Sequence, residues 1–152
     1  MNNTFNYIIQ TRKILLQLTE GLTAEQLNTI PVGFNNNIIW NLGHLAVSTP
    51  VLCYIRSNVQ PQREIPFIEK YIKGSKPEGP VSEAEIEELK HQLFSSIEQI
   101  EQDYQAKAFE NFEPFATSTY KYTVQNIDEM LLCCLAHDNI HTGQVSALRK
   151  LV

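Results

Sequence analysis

Residues 135–144 read Leu-Ala-His-Asp-Asn-Ile-His-Thr-Gly-Gln and place two histidines, His137 and His141, four positions apart. Residues four apart on an α-helix lie on the same side, with about 6 Å between them, so both imidazoles can face one metal ion. Apolar residues recur around this pair at helical spacing up to the C-terminus. The stretch therefore predicts a C-terminal helix whose inward face carries both histidines.

The rest of the chain predicts three more long helices and two long connections. The four long helices are predicted at 4–19, 36–54, 82–104 and 126–152, and a short helical turn at 24–29. Thr23 with Gln26, Ser82 with Glu85, and Asn126 with its Glu three positions on have the spacing of helix N-terminal capping boxes. The second helix is apolar almost all round, which predicts that it is buried, and Pro50 should disturb it.

The two connections, 58–81 and 105–125, decide how the helices are ordered. The first is rich in Pro and Gly and is predicted to form only a helical turn around 67–73; the second is predicted to contain a short extended piece near Tyr120–Val124. Connections of about 20 residues can carry the chain back along a bundle. We therefore expect one all-α domain over residues 1–152, a four-helix bundle that is not simply up-down-up-down.

Composition excludes several classes of function. Net charge is −5, and no Lys/Arg run is longer than two residues, so nucleic acid and anionic membranes are not expected partners. No stretch approaches the roughly 18 apolar residues of a membrane span, and the N-terminal residues do not resemble a signal peptide. Three cysteines form an odd set without a disulfide framework, which indicates the reducing cytoplasm.

A third histidine, His44, strengthens the metal hypothesis. It lies in the most apolar predicted helix, where an unpaired imidazole is energetically costly. Plainer alternatives remain at this point: His44 could be a core histidine that donates to a carbonyl, and one member of the pair could lie at the surface. Three histidines on two helices that pack together nevertheless favour a shared divalent metal held by His44, His137 and His141.

Other polar residues near the histidines are given plainer roles. Asp138 is rotated by about 100° from His137 on the helical wheel, so it is interpreted as a supporting or solvent-facing carboxylate rather than a general base. Cys134, one turn before His137, could be a fourth ligand or a reactive thiol, and Cys133 shares that ambiguity. Burial as a small apolar residue is the preferred interpretation for both. His91 is expected at the surface.

Four segments together resemble the DinB/YfiT superfamily over nearly the whole chain. They are Asn-Asn-Ile-Ile-Trp-Asn-Leu-Gly-His-Leu at 36–45, Leu-Cys-Tyr at 52–54, Tyr-Ile-Lys-Gly-Ser-Lys-Pro at 71–77 and His-Asp-Asn-Ile-His-Thr-Gly-Gln at 137–144. The resemblance implies an up-down-down-up four-helix bundle, often a homodimer, with a divalent metal held by His44, His137 and His141. Relatives with that fold include bacillithiol S-transferases and mycothiol-dependent maleylpyruvate isomerases.

Two functional hypotheses follow. In the first, the protein is a metal-dependent enzyme that acts on a small molecule, by transfer of a low-molecular-weight thiol or by hydrolysis. Three protein ligands leave positions where a thiol or water can bind and lose a proton. Zinc or nickel is the expected metal, ahead of iron or manganese. In the second hypothesis, the protein is a non-catalytic metal-binding or stress-response bundle.

Overall fold

The structure, a computed structural model, describes residues 3–152 and is mainly helical. Met1 and Asn2, which begin the stretch tested above for a signal peptide, lie outside the described residues. Four helices are long and two are short. They are α1 (Thr4–Gln17), α2 (Ala24–Asn28), α3 (Ile38–Pro50), α4 (Ile68–Tyr71), α5 (Glu83–Gln105) and α6 (Ile127–Leu148).

The four long helices pack as a ring of neighbours. Helix α1 packs against α5 and α6, and α3 packs against the same two helices. Two apolar clusters fill the interior, one around Leu15, Leu93 and Val145 and the other around Ile8, Ile97 and Met130. Each long helix with an amphipathic pattern thus buries its apolar side, which is the main driving force for this arrangement.

Helix α3 is enclosed by other parts of the chain along its whole length. Asn37 caps it by accepting a hydrogen bond from the backbone N–H of Trp40 at 2.8 Å, and all thirteen of its residues are buried, as the apolar sequence predicts. The α-helical pattern ends at Pro50, and a π-helical segment (Val51–Arg56) continues it. Proline has no N–H and its ring crowds the carbonyl four residues earlier, so the regular α ladder cannot pass through it.

The expectation about membrane spans needs a correction. Ile38–Arg56 is long and apolar enough to cross a bilayer by length and composition, although 83% of its most apolar window is buried inside the molecule. The physical reason is that a helix enclosed on all sides by protein needs the same apolar composition as one enclosed by lipid. Among residues 3–152 it is the one helix of this kind.

Capping follows the predicted positions but not always the predicted partners. Thr23 and Gln26 form the full reciprocal box. Ser82 accepts from the backbone N–H of Glu85, but the Glu85 carboxylate turns away from the helix start, accepts a 2.5 Å bond from the Tyr71 hydroxyl and pairs with Lys70. The first connection is therefore tied to α5 at its only helical turn, α4.

The second connection forms a small hairpin. Strands β1 (Phe115–Ala116) and β2 (Thr123–Val124) pair antiparallel, so the extended piece is shorter than predicted and has a partner strand. The loop between them, residues 117–122, lies beside α3 and the first turns of α6, where it forms one wall of the cleft described below.

Candidate metal centre

Three histidines from two helices converge in the structure. His44 comes from α3, and His137 and His141 come from α6; one ring nitrogen of each lies within 4.8 Å of the others. Nε2 of His141 is 3.1 Å from Nε2 of His137. His44 and His141 are buried, whereas His137 is partly exposed. The structure thus brings together all three residues that the sequence selected.

The ring of His44 is fixed from two sides. Its Nδ1 is 2.8 Å from the carbonyl oxygen of Tyr71, and because a carbonyl only accepts, Nδ1 carries the proton and Nε2 keeps a lone pair. Trp40 stacks on the same ring, with centroids 4.7 Å apart and planes 8° apart. The plainer alternative for His44, donation to a carbonyl, is therefore real, and it leaves the metal-binding nitrogen free.

Gly43 allows the chain to bring that carbonyl close. A Cβ at position 43 would lie 2.5 Å from ring atoms of Tyr71, which is closer than any side chain tolerates. Glycine at this buried position is thus required by the approach of Tyr71. The Tyr71 hydroxyl bonds to Glu85 at its other end, so the tyrosine spans from α5 to the histidine centre.

The ring of His141 is fixed by Asn41. Nδ1 of His141 is 2.7 Å from Oδ1 of Asn41. The amide nitrogen of Asn41 donates to the carbonyl of Asn37 at 2.7 Å, which orients its oxygen towards the histidine. His141 is thereby held with its proton on Nδ1 and its Nε2 lone pair facing His137.

Burial keeps the cluster neutral. Desolvation lowers the pKa of His44, against the opposing effect of the hydrogen bond that its ring donates to the Tyr71 carbonyl. Desolvation, with the nearby His44, Arg12 and Lys73, lowers the pKa of His137 to about 4. Desolvation and the two other histidines lower the pKa of His141 to about 3. At neutral pH all three imidazoles are therefore unprotonated at one nitrogen, the form that binds a metal.

The donor set fits a divalent transition metal. The bonds at Nδ1 of His44 and His141 leave an Nε2 lone pair on each ring, and Nε2 of His137 lies 3.1 Å from that of His141. Metal–nitrogen distances of about 2.0–2.1 Å need nitrogen separations of roughly 3–4 Å, so closing the widest pair by about 1 Å completes the set. Neutral imidazole is a ligand that zinc, nickel, iron and copper share.

A cleft of about 330 Å³ opens beside the histidines. His44 and His137 contribute to its wall, so the cluster is accessible from this side. Its other walls are formed by the π-helical segment, by residues 72–73, by the 117–120 loop and by one side of α6. A small molecule in the cleft would reach the exposed side of the centre.

Asp138 departs from its expected position. Its side chain is fully buried and pairs with Nε of Arg12 at 2.8 Å; Arg12 also bonds to Thr49 at 2.7 Å and to the backbone carbonyl of Leu93. Burial raises the pKa of the Asp138 carboxyl against the opposing Arg12 charge. The solvent-facing interpretation is wrong, because the 100° rotation from His137 points Asp138 into the helix interface instead of to water.

The cysteines also differ from the alternatives considered. Cys134 is buried against the π-helical segment, where its thiol hydrogen-bonds to Cys53, and it is not among the residues whose donor atoms group with the histidines. Cys133, partly exposed, lines the cleft instead. All three cysteines are free. His91 is exposed, as expected.

Two determinants of the centre were missed in the sequence. Asn41 carries a usable signal, because a buried asparagine three residues before His44 in an otherwise apolar helix needs a partner. The carbonyl of Tyr71 carries no side-chain signal at all, since any residue presents one. Its contribution depends on the path of the connection and on Gly43.

Comparison with known proteins gives one match. A family model described as the DinB superfamily matches residues 7–145, a range that includes all three histidines, Asn41 and Tyr71. Comparisons with curated proteins and with solved structures find no match.

Proposed function

Because the chain belongs to the DinB superfamily, we propose that it is a metal-dependent enzyme acting on a small molecule at His44, His137 and His141. The observation that carries the proposal is the hydrogen bonding at Nδ1. Tyr71 and Asn41 occupy Nδ1 of two histidines, which leaves their Nε2 lone pairs available to a metal beside an open cleft. The Nε2 atom of His141 meets another ring nitrogen of the same cluster, Nε2 of His137, at 3.1 Å, so its lone pair is shared within the cluster and not with the rest of the protein.

Transfer of a low-molecular-weight thiol to an electrophile is the leading chemistry, and hydrolysis is the second. A divalent metal bound by the three imidazoles would lower the pKa of a thiol or water molecule at its open position. The thiol proton leaves to solvent, the sulfur forms a bond to the electrophilic carbon, and the leaving group departs with its electron pair. The chain's own part is to hold three neutral imidazoles and to limit access to one side.

The identity of the metal is proposed from the donors. Three nitrogen ligands favour zinc or nickel over magnesium and calcium, which prefer oxygen. Iron and manganese are further options. Carbonyl and amide partners at Nδ1 fix the imidazoles for whichever ion binds, because such partners orient the ligand and increase its basicity.

The test is turnover by protein reloaded with zinc or nickel. Thiol consumption is measured for small thiols paired with alkyl or aryl halides, and ester hydrolysis is measured separately. We expect one class of reaction that depends on metal and is lost in His137→Ala. A His91→Ala variant, altered at an exposed histidine outside the centre, should keep full activity.

The alternative is a non-catalytic protein in which the metal stabilises the bundle. It would be favoured if the reloaded protein stays inactive on all panels while His44→Ala only lowers the melting temperature. His44, on α3, faces His141 of α6 and hydrogen-bonds to Tyr71 in the first connection. Loss of a structural ion at this position would therefore lower the stability of the bundle.

We also infer that the helices of this single domain run up-down-down-up. Three sets of contacts support it. Phe5 meets Tyr104 and Arg12 meets Ser96, which suits antiparallel α1 and α5. Asn41 meets His141 while Cys53 meets Cys134, which suits antiparallel α3 and α6. Residues near the start of α1 and of α6 share one apolar cluster, which suits a parallel pair.

A homodimer in the cytoplasm completes the proposal. The outer side of α6 presents Leu132 and Ile140, 57% and 43% exposed, with Gly143 open beside them, and an isologous pair would bury this side. Leu132→Glu should then convert a dimer to a monomer in light scattering after size-exclusion chromatography. Three free thiols suit a reducing compartment.

A further inference from the structure

The cleft beside the histidine cluster carries positive charge only. Its lining includes Arg56 and Lys73, and among the described residues no Asp or Glu contributes to it. The chain has 17 acidic against 12 basic side chains and a net charge of −5. A wall without carboxylates in an acidic protein gives the cleft a local potential opposite to that of the whole molecule, which attracts anions.

Neither cation is paired with a carboxylate among residues 3–152. The ion pairs within residues 3–152 engage other basic residues, namely Arg12, Arg63, Lys70 and Lys90. Arg56 is exposed and lies over the ring of Phe115, 5.4 Å from its centroid, which holds it against the hairpin. Lys73 is exposed, and its charge acts on both His44 and His137. Both are therefore available to a ligand.

A buried hydroxyl points to the same cleft. Ser48 lies one turn after His44 on α3 and lines the cleft. It is only 9% exposed, and its Oγ has no hydrogen-bond partner among the described residues. Such a group is costly unless something bonds to it. A ligand oxygen in the cleft next to the histidines would satisfy it.

We propose that this cleft selects small anionic molecules, with Lys73 and Arg56 binding the negative groups and Ser48 donating to a ligand oxygen. The inference rests on the proposed function only in placing the reactive end of the ligand at the histidines. Lys73 binds the negative group that lies nearest to the histidines. Arg56 is twelve residues from His44, which is on the order of 15–18 Å along a helix axis, so it binds groups at the outer end.

The test begins with metal-free protein, so that it does not depend on the metal centre. Succinate, inorganic phosphate and the uncharged 1,4-butanediol are titrated by calorimetry at low and at moderate salt. We expect succinate or phosphate to bind and butanediol not to, with affinity that falls as sodium chloride rises. Tighter binding of succinate would identify a carboxylate ligand, and tighter binding of phosphate a phosphorylated one.

Variants locate the binding. Lys73→Gln should weaken anion binding by about tenfold, the loss of one charge-assisted contact, and Arg56→Gln should weaken it by a smaller factor. Lys13→Gln is the matched control, since Lys13 is an exposed cation on α1 that does not line the cleft. Equal binding of butanediol and succinate, or an equal effect of Lys13→Gln and Lys73→Gln, would overturn the proposal.

A second titration connects the selectivity to the centre. Zinc-loaded protein is titrated with mercaptosuccinate and with thioglycerol, which differ in charge but share a thiol. We expect mercaptosuccinate to bind about tenfold more tightly, and Lys73→Gln to abolish this preference without weakening thioglycerol. If zinc does not bind, the proposed function fails while the metal-free titration still decides the anion preference. If zinc binds and the preference is absent, only the present inference fails.

Discussion

His137 and Asp138 are consecutive residues of α6, yet they belong to opposite kinds of polar site. Asp138 is fully buried and pairs with Arg12, which in turn bonds to Thr49 and Leu93. His137 joins two other imidazoles at the edge of a cleft. The first site directs its bonds to the rest of the protein, although Oδ1 of Asp138 has no hydrogen-bond partner among the described residues. The second site directs ring nitrogens at one another.

The difference shows how to separate structural from functional polarity in a helical core. Arg12 stands between Ile8 and Leu15, which belong to the two different apolar clusters, so the ion pair ties four helices at the level where those clusters meet. Two of the histidines, His44 and His141, instead have their Nδ1 atoms fixed, and one ring nitrogen of each of the three lies within 4.8 Å of the others. Opposite charges paired within the core indicate architecture, whereas neutral donors of one type that converge beside a cleft indicate a ligand.

The largest expected effect is on the ion pair. Arg12→Ala should lower the free energy of unfolding by about 3–5 kcal/mol, because it leaves Asp138 as a buried, unpaired acid. Urea denaturation measures it. The double variant Arg12→Met with Asp138→Leu should recover most of the loss, since it removes both charges. A loss of stability below about 1 kcal/mol in Arg12→Ala would show that the ion pair does not hold the four helices together.

Acid should lower the stability of the protein through the histidine cluster. The pKa values of His137 and His141 are lowered to about 4 and about 3, so between those values and about 6.5 the unfolded chain binds more protons than the folded one. Stability of the metal-free protein should therefore fall as the pH is lowered from about 6.5, by on the order of 2 kcal/mol per histidine at pH 5.

Urea denaturation across pH 4.5–8 checks this. The variant His137→Gln with His141→Gln should flatten the acid limb, and His91→Gln, changed at an exposed position on α5, should leave it as it is. A limb that persists in the double variant would place the proton uptake elsewhere.

Asn41 should control metal affinity more than stability. Asn41→Ala removes the acceptor at Nδ1 of His141, and loss of such a partner costs about 10–100-fold in affinity for the metal. A competition titration against a chelator of known affinity measures it. Asn41→Asp, which restores an acceptor, should recover part of the loss. Unchanged affinity in Asn41→Ala would mean that the tautomer is fixed by something else.

The smallest expected effect is a difference in stability between alanine variants of two helical glycines. Gly43→Ala should cost about 1–3 kcal/mol through overpacking against Tyr71. Gly143→Ala meets no atom within 4 Å and should stabilise α6 by up to about 1 kcal/mol, the usual gain of helix propensity. Thermal unfolding of both variants gives the comparison. A higher melting temperature in both variants would contradict the close approach of Tyr71 to α3.

Local signals in the sequence predict the helices well. The sequence places the cap of α3 at Asn36 or Asn37, of which the structure uses Asn37, and the cap of α5 at Ser82. Capping residues and apolar spacing are properties of a few neighbouring residues, so they can be recognised locally. The partner of the Glu85 carboxylate does not follow in this way, because its bond to Tyr71 depends on where the connection packs.

The residues of the site also differ in whether local sequence can identify them. The three histidines can be selected by type and spacing, but Arg12 pairs with a residue 126 positions away, and no local pattern announces that contact. The solvent-facing alternative for Asp138 is wrong for this reason: a carboxylate facing away from the metal can face water or a buried cation, and only packing decides. Tyr71 contributes through its backbone, where sequence carries no information about the acceptor.

The most direct test of the central claim is metal titration of the wild type and of three single variants, His44→Ala, His137→Ala and His141→Ala. We expect the wild type to bind one equivalent of zinc or nickel, each variant to bind at least about 100-fold more weakly, and His91→Ala to match the wild type. Less than about a tenth of an equivalent bound after reconstitution, or binding unaffected by His44→Ala, would contradict a centre built from these three histidines.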